Sequence, residues 1–203
     1  MKKYILFFVL GFFLVVTAEG QTDYQLRTIA FYNLENLFDT IDDPEKNDES
    51  SPIMQIHANR QEIYKQKLDN MAKVLSEIGN EESTDSPVII GLAEIENYTV
   101  INDLINTYWL KSQDYGIIHY DSPDQRGIDV ALIYQKTFFR PTDHEVFELK
   151  LWDEEGQRIY TRDQLLVTGY LDDELIHIIV NHWPSRRGGP EKSNFKREKA
   201  AYI

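Results

Sequence analysis

The chain has 203 residues, of which 42% are hydrophobic and 12% aromatic, which is enough for one ordinary core and one domain or slightly more. It contains no cysteine, which excludes disulfides, thiolate nucleophiles and cysteine-bound zinc. The formal net charge of −13 argues against tight non-specific binding to a long nucleic-acid duplex, which normally requires a basic face. A bound metal would need oxygen or imidazole ligands, which favours hard cations such as Mg²⁺, Ca²⁺ or Mn²⁺.

Residues 1–20 predict a signal peptide. Lys2 and Lys3 form a charged start, residues 4–16 form a nearly continuous apolar run, and small residues follow at 17–20. The apolar run is shorter than the roughly 20 residues that a bilayer-spanning helix needs. We therefore expect cleavage, a secreted or periplasmic protein, and no stable membrane insertion afterwards. An uncleaved anchor is the alternative.

The first half of the remaining chain predicts strands that alternate with amphipathic helices. Apolar residues recur at near-helical spacing in two long stretches, while a short continuous apolar run indicates a buried strand. The predicted elements are a strand at 26–32, an acidic loop at 39–49, a helix at 55–78, a polar turn at 80–87, a buried strand at 88–92 and a helix at 97–109.

The second half predicts mainly strands. Turn-like segments at 122–125 and 171–174 separate apolar runs with β-prone composition. The predicted strands cover residues 115–120, 128–134, 138–147, 165–170 and 175–180, and a third helix covers 193–202. Helices early and adjacent strands later favour a mixed sheet with helices packed outside.

Polar side chains stand where three of the predicted strands end. Asn33 follows the first strand, Glu94 and Glu96 follow the buried strand, and His182 follows the last strand. Sites in open α/β sheets assemble at the carboxyl ends of strands. A carboxylate with an amide oxygen suits a hard divalent cation, and an imidazole can donate to a phosphoryl oxygen or move a proton.

Each of these residues also has a purely structural interpretation. The asparagine is equally explained as a turn cap, and the glutamates as acids favoured by the N-terminus of the helix that follows them. A single histidine is more often an ordinary surface or core imidazole. Arg186 and Arg187 are, taken alone, a solvated pair. Only the joint pattern favours a functional site.

Four segments carry a family resemblance when taken in order. They are FYNLENLF at 31–38, IIGLAEIEN at 89–97, RGIDVALIY at 126–134 and VNHWPSRRGG at 180–189. Together they resemble the endonuclease/exonuclease/phosphatase superfamily, with the fold of pancreatic-type deoxyribonuclease, and especially its secreted bacterial branch. Ala93 stands where glutamine is commoner in the family, so Glu94 is the implied metal ligand and Glu96 its neighbour.

The resemblance implies a fold and an activity. The fold is a two-sheet α/β sandwich with outer helices, in four layers. The activity is divalent-metal-dependent phosphoester hydrolysis, by a nuclease or phosphatase, with Mg²⁺ (or Mn²⁺ or Ca²⁺) as cofactor. The substrate is a phosphoester, nucleic acid among the candidates, and the protein is expected to be a monomer. The implied residues are Glu94 and Asn33 for the metal, His182, Arg162 and Asn181 for catalysis, and Arg186 and Arg187 for phosphate contacts.

The chain departs from the family pattern near its end. The family's later Gly-Asp-x-Asn and Ser-Asp-His motifs supply further catalytic groups, and no counterpart follows Gly189. We therefore expect residues 21–203 to be a domain that lacks its C-terminal part, with little or no hydrolysis by this chain alone. A secreted, non-catalytic phosphate- or nucleotide-binding module and a partly folded fragment are the alternatives.

Overall fold

The computed structural model describes residues 25–81 and 85–203. The predicted signal peptide lies outside these residues, as does part of the predicted turn at 80–87. Within the described residues, no helix combines the length and the apolar character that crossing a membrane requires. In chain order the elements are β1 (Ile29–Leu37), α1 (Arg60–Glu77), β2 (Ile89–Ile95), α2 (Tyr98–Ile105), β3 (Tyr115–His119), β4 (Asp129–Gln135), β5 (Phe139–Phe147), β6 (Leu151–Trp152), β7 (Arg158–Ile159), β8 (Gln164–Leu171), β9 (Glu174–Val180) and α3 (Pro190–Ala201).

The strands form two main sheets. The first has the order β1-β2-β4-β3, in which β1 and β2 are parallel and the other pairs antiparallel. The second has the order β5-β8-β9 and is antiparallel throughout. The mixed sheet that the sequence predicts is therefore confirmed. The short β6-β7 hairpin was not predicted, since two-residue strands carry no periodic signal.

The sheets pack face to face, with helices on the outside of the first sheet. One core lies between α1, α2 and the first sheet, and α1 contributes Tyr64, Leu68, Ala72 and Leu75 along one stripe. A second core lies between the sheets. The predicted two-sheet α/β sandwich with outer helices is confirmed. Among the described residues, the outer face of the second sheet is open, leaving Ile179 56% exposed.

The helix ends differ from the predicted ones for local reasons. Residue 55 does not begin α1, because Asn59 has a left-handed backbone (φ 56°) and the helix starts only after it. The second helix ends at Ile105 rather than 109, because the Asn106 side chain donates to the Asn102 carbonyl and closes the last turn. The third helix begins earlier, at Pro190, a residue whose fixed φ suits a first helical position.

A close approach at Gly91 sets how the sheets are stacked. A Cβ added to Gly91 in β2 would lie 3.2 Å from side-chain atoms of both Val180 in β9 and Phe31 in β1. Val180 therefore packs on the bare backbone of the central strand. Because the chain continues from Val180 to His182 and from Gly91 to Glu94, this contact brings the two strand ends together.

We predict that Gly91→Ala destabilises the protein by about 1 kcal/mol, because the added methyl overpacks the interface between the sheets. Val180→Ala removes the partner methyls, so the double variant should lose less stability than the sum of the two single losses, by about 1 kcal/mol. Urea unfolding of the four proteins measures the coupling. Strictly additive losses would show that Val180 does not rest on Gly91.

Candidate active site

Two facing bulges interrupt the parallel pair β1-β2 near its carboxyl end. The register shifts between Asn33 and Leu37 on β1 and between Ala93 and Ile95 on β2. Glu35, Asn36 and Glu94 all have left-handed backbones, at φ 51°, 59° and 58°. Such conformations are costly for residues other than glycine and concentrate at functional sites. A bulge also breaks the strict alternation of side chains between the two faces of a sheet. Here it presents Glu94 at the carboxyl end of the β1-β2 pair.

The Glu94 carboxylate is held by neutral donors. The Asn33 side-chain amide donates to Oε1 at 3.0 Å, and the Asn36 backbone N–H donates to Oε2 at 3.1 Å. The oxygen of Asn33 in turn accepts from the Glu35 backbone N–H at 2.7 Å. The family resemblance predicts Asn33 as a second metal ligand. In this structure its side chain instead orients the Glu94 carboxylate.

Lys67 of α1 supports the bulge from behind. Its ammonium donates to the backbone carbonyls of Glu35 and Asn36. Burial lowers the pKa of Lys67, against the opposing effect of the Glu35 and Glu94 charges. Its hydrogen bonds satisfy carbonyls that the bulge removes from the sheet ladder. This role could not be predicted from the sequence, because a lysine on an amphipathic helix is ordinarily solvated.

His182 meets Glu94 across the two sheets. Its Nε2 lies 3.5 Å from Glu94 Oε1, and both side chains are about a fifth to a quarter exposed. Burial and the nearby Arg162 charge lower the pKa of the imidazole, although Glu94 opposes them. The imidazole is therefore neutral at neutral pH, and the contact is a polar one rather than a strong ion pair. His182 Nδ1 is buried without a partner among the described residues.

Arg162 fixes the backbone that carries His182. Its guanidinium donates to the carbonyls of His182, at 2.9 and 3.2 Å, and of Trp183, at 3.0 Å. The remaining arm donates to Asp124 Oδ2 at 3.3 Å. Arg162 is only 8% exposed, so its donors are used within the protein. The family resemblance implies a catalytic role for Arg162, whereas this geometry makes it a residue that positions the His182 backbone.

Asp124 is a further positioning residue that the sequence did not reveal. It is 3% exposed and binds Arg126 as well as Arg162. Burial raises its pKa, but the hydrogen bonds and charges of the two arginines outweigh this and leave the pKa lowered. In the sequence it stands in a Ser-Pro-Asp-Gln turn, where an aspartate is expected for local reasons alone.

A basic cleft of about 390 Å³ opens beside the His182 segment. Arg126, Arg187, Lys192 and Lys196 line it, together with Arg162 and Asp124. Asp124 pairs with Arg126 and Arg162 but offsets only one of the five positive charges in the lining, which leaves a clear excess of positive charge. In a chain of net charge −13, this local reversal of sign favours an anionic ligand.

The other predicted residues are less engaged. Arg186 is exposed and does not line the cleft, unlike Arg187. Asn181 is half-buried, and its side chain makes no hydrogen bond with the described part of the chain. Glu96 is buried and accepts from the Asp39 backbone N–H at 2.7 Å. Burial, together with the acidic residues around it, raises the pKa of Glu96 to about 7.

A sequence model of the endonuclease/exonuclease/phosphatase family matches residues 28–203. The chain belongs to this family. Its members are hydrolases that act on phosphoesters. The match confirms the superfamily that the four segments predicted. No curated protein matches the chain significantly.

Several solved structures are similar to the chain. They include a family protein from Bacteroides vulgatus, with 16% identity over 76% of this chain and 51% of that chain and a TM-score of 0.44. A Bacteroides thetaiotaomicron mannosyl-6-phosphatase shares 14% identity over 76% and 49%, with a TM-score of 0.43. The catalytic domain of human nocturnin shares 16% over 64% and 47%, with a TM-score of 0.42. The chain thus spans about half the length of these relatives.

The chemistry around Glu94 fits a hard divalent cation. Within the described residues, His182 is the one basic side chain within ion-pair distance of Glu94, and its imidazole is neutral at neutral pH. Lys67 and Arg162, the nearby cations, are occupied by backbone carbonyls. A half-buried carboxylate that is contacted by neutral donors alone is suited to bind an ion such as Mg²⁺.

We predict that Arg162→Met lowers the free energy of unfolding by about 3 kcal/mol, because it leaves the buried Asp124 short of a cation and two carbonyls without donors. Arg162→Lys should recover only part of the loss, since an ammonium lacks the planar fork. Denaturant titration measures both. The exposed Arg187→Met is the matched control and should change stability by less than about 0.5 kcal/mol. Equal midpoints for Arg162→Met and the control would contradict the positioning role.

Proposed function

We propose that the whole protein is a divalent-metal-dependent phosphoester hydrolase, with Mg²⁺ as its main cofactor and Mn²⁺ or Ca²⁺ as substitutes. The observation that carries the proposal is the meeting of Glu94 and His182 at 3.5 Å, although the strands before them belong to two different sheets. Such a reaction needs a carboxylate that can bind a metal ion and, beside it, a neutral imidazole.

Glu94 would hold the cation, and Asn33 and Asn36 would keep its carboxylate in place through their N–H groups. When bound, the ion would supply positive charge to a phosphoryl oxygen during displacement at phosphorus. Asn33 as a direct second ligand stays a prediction, because its oxygen accepts from the Glu35 backbone in the present arrangement.

His182 would donate a hydrogen bond to the phosphoryl group or to the leaving oxygen. A neutral imidazole has one N–H, and the contact with Glu94 places Nε2 on the side of the site. Arg162 would keep His182 in position through the backbone rather than touch substrate. Asn181, the preceding residue, remains a candidate for a further substrate contact.

The basic cleft would bind the rest of an anionic substrate. Arg187 and the lysines at 192 and 196 lie next to the His182 segment, and they are not committed to an acidic partner within the described residues. Their charges would attract a phosphoester and align it for in-line displacement. The same cleft also favours the second candidate, a phosphate- or nucleotide-binding module without turnover.

We predict that Glu94→Ala and His182→Ala each lower kcat/KM of the whole protein by at least about 10²-fold, because each removes a group that acts on the reacting phosphate. Hydrolysis of a chromogenic phosphodiester and a phosphomonoester, with Mg²⁺ and with chelator, measures this. His177→Ala, in strand β9 just before His182, is the matched control and should leave kcat/KM unchanged.

Two outcomes would contradict the hydrolase proposal. Turnover that resists chelator, or a Glu94→Ala protein that is fully active, would remove the metal from the reaction. Nucleotide binding in a calorimeter without any product, by a protein whose His182→Ala variant binds equally well, would favour the binding module. The two results are separable because the first requires turnover and the second excludes it.

A further inference from the structure

The acidic loop between β1 and α1 forms a second oxygen cluster. One carboxylate oxygen from each of Asp42, Asp48 and Glu49 lies within 4.8 Å of the others. Asp42 and Glu49 are exposed, and Asp48 between them is 1% exposed. None of the three has an ion-pair partner in the part of the chain that the structure describes. The three negative charges therefore converge without compensation.

One oxygen of the buried Asp48 carboxylate has no hydrogen-bond partner among the described residues. Its Oδ2 accepts from the Asp43 backbone N–H at 3.0 Å, while its Oδ1 is buried with no hydrogen-bond partner among the described residues. Leaving a buried carboxylate oxygen unpaired costs free energy, and proteins compensate by pairing it or by coordinating a metal. Since Asp42 and Glu49 approach the same carboxylate, the partner that fits is a cation.

The kind and number of the ligands favour calcium over magnesium. Ca²⁺ takes about six to eight oxygen ligands, many of them carboxylates, in a flexible geometry. Mg²⁺ is usually held by one or two carboxylates and keeps several of its waters. Three carboxylates that approach one point, one of them buried, therefore suit Ca²⁺ better.

The other acidic group in the fold lacks these features. His119, Asp121 and Asp129 also lie close together. Asp129, however, accepts from His119 Nε2 at 3.1 Å and from the Ser122 backbone N–H at 2.8 Å, so both of its oxygens are satisfied. The contrast shows why the acidic loop, and not this cluster, needs an ion.

We propose that Asp42, Asp48 and Glu49 bind a Ca²⁺ ion that is separate from the cation at Glu94. The loop packs beside the active-site network: the Asn47 backbone N–H donates to the Gln125 carbonyl at 2.8 Å, and Lys46 donates to the Ser122 carbonyl at 3.1 Å. Residues 122–126 include Asp124, the partner of Arg162. The ion therefore stabilises the loop that supports the Asp124–Arg162–His182 network, without contacting substrate.

Calcium titration in a calorimeter, combined with thermal unfolding, tests the proposal on the purified protein. We expect wild type to bind Ca²⁺ with a Kd on the order of 10⁻⁴ M and to gain several degrees in Tm at millimolar Ca²⁺. Asp42→Asn/Glu49→Gln changes two exposed residues and should weaken binding about tenfold or more. Asp48→Asn should weaken binding to a similar extent, while the far-ultraviolet circular dichroism spectrum of the variant stays the same as that of wild type.

Two control variants separate this site from its surroundings. Glu94→Gln should keep the Ca²⁺-induced rise in Tm, because Glu94 belongs to the other site. Glu154→Gln/Glu155→Gln removes the same number of exposed charges elsewhere and should bind as wild type does. Unchanged binding by Asp42→Asn/Glu49→Gln, or a response lost in Glu94→Gln alone, would overturn the proposal. Equal affinity for Mg²⁺ and Ca²⁺ in Glu94→Gln, where the other cation site is removed, would contradict the assignment to calcium.

Discussion

Packing of Val180 on the bare backbone of Gly91 is the constraint on which the site depends. It sets the distance between the two sheets at the strand ends where Glu94 and His182 emerge. Glu94 and His182 are 88 positions apart in the sequence, and no hydrogen-bond ladder joins β2 to β9. Neither proximity along the chain nor strand pairing therefore brings the two residues together. The packing of an apolar side chain on a glycine backbone thus sets how close these two polar groups lie.

The nearby cations are used to build the site rather than to neutralise it. Lys67 satisfies carbonyls released by the β1 bulge, and Arg162 satisfies carbonyls of the His182 segment. Both interactions hold strained or irregular backbone that would otherwise bury unpaired groups. The consequence is electrostatic: neither cation forms an ion pair with Glu94, and the unpaired positive charges of Arg187, Lys192 and Lys196 lie in the neighbouring cleft.

Much of the fold and the centre of the site could be predicted from the sequence. Strong periodicity gave α1 and the strands, and polar residues at strand ends gave Glu94 and His182. The positioning groups could not be predicted in the same way. Lys67, Asp124 and the carbonyl-binding role of Arg162 depend on contacts between distant segments, and each residue has an ordinary local explanation. The left-handed bulge at Glu35 and Asn36 was equally hidden, because neither residue is a glycine.

Anomalous diffraction from crystals soaked in Mn²⁺ tests the central claim most directly, since it locates the ion without relying on turnover. A peak within coordination distance of the Glu94 carboxylate, with the His182 imidazole facing the same pocket, is the predicted result. An unoccupied Glu94, or a His182 side chain directed to another face of the molecule, would contradict the account.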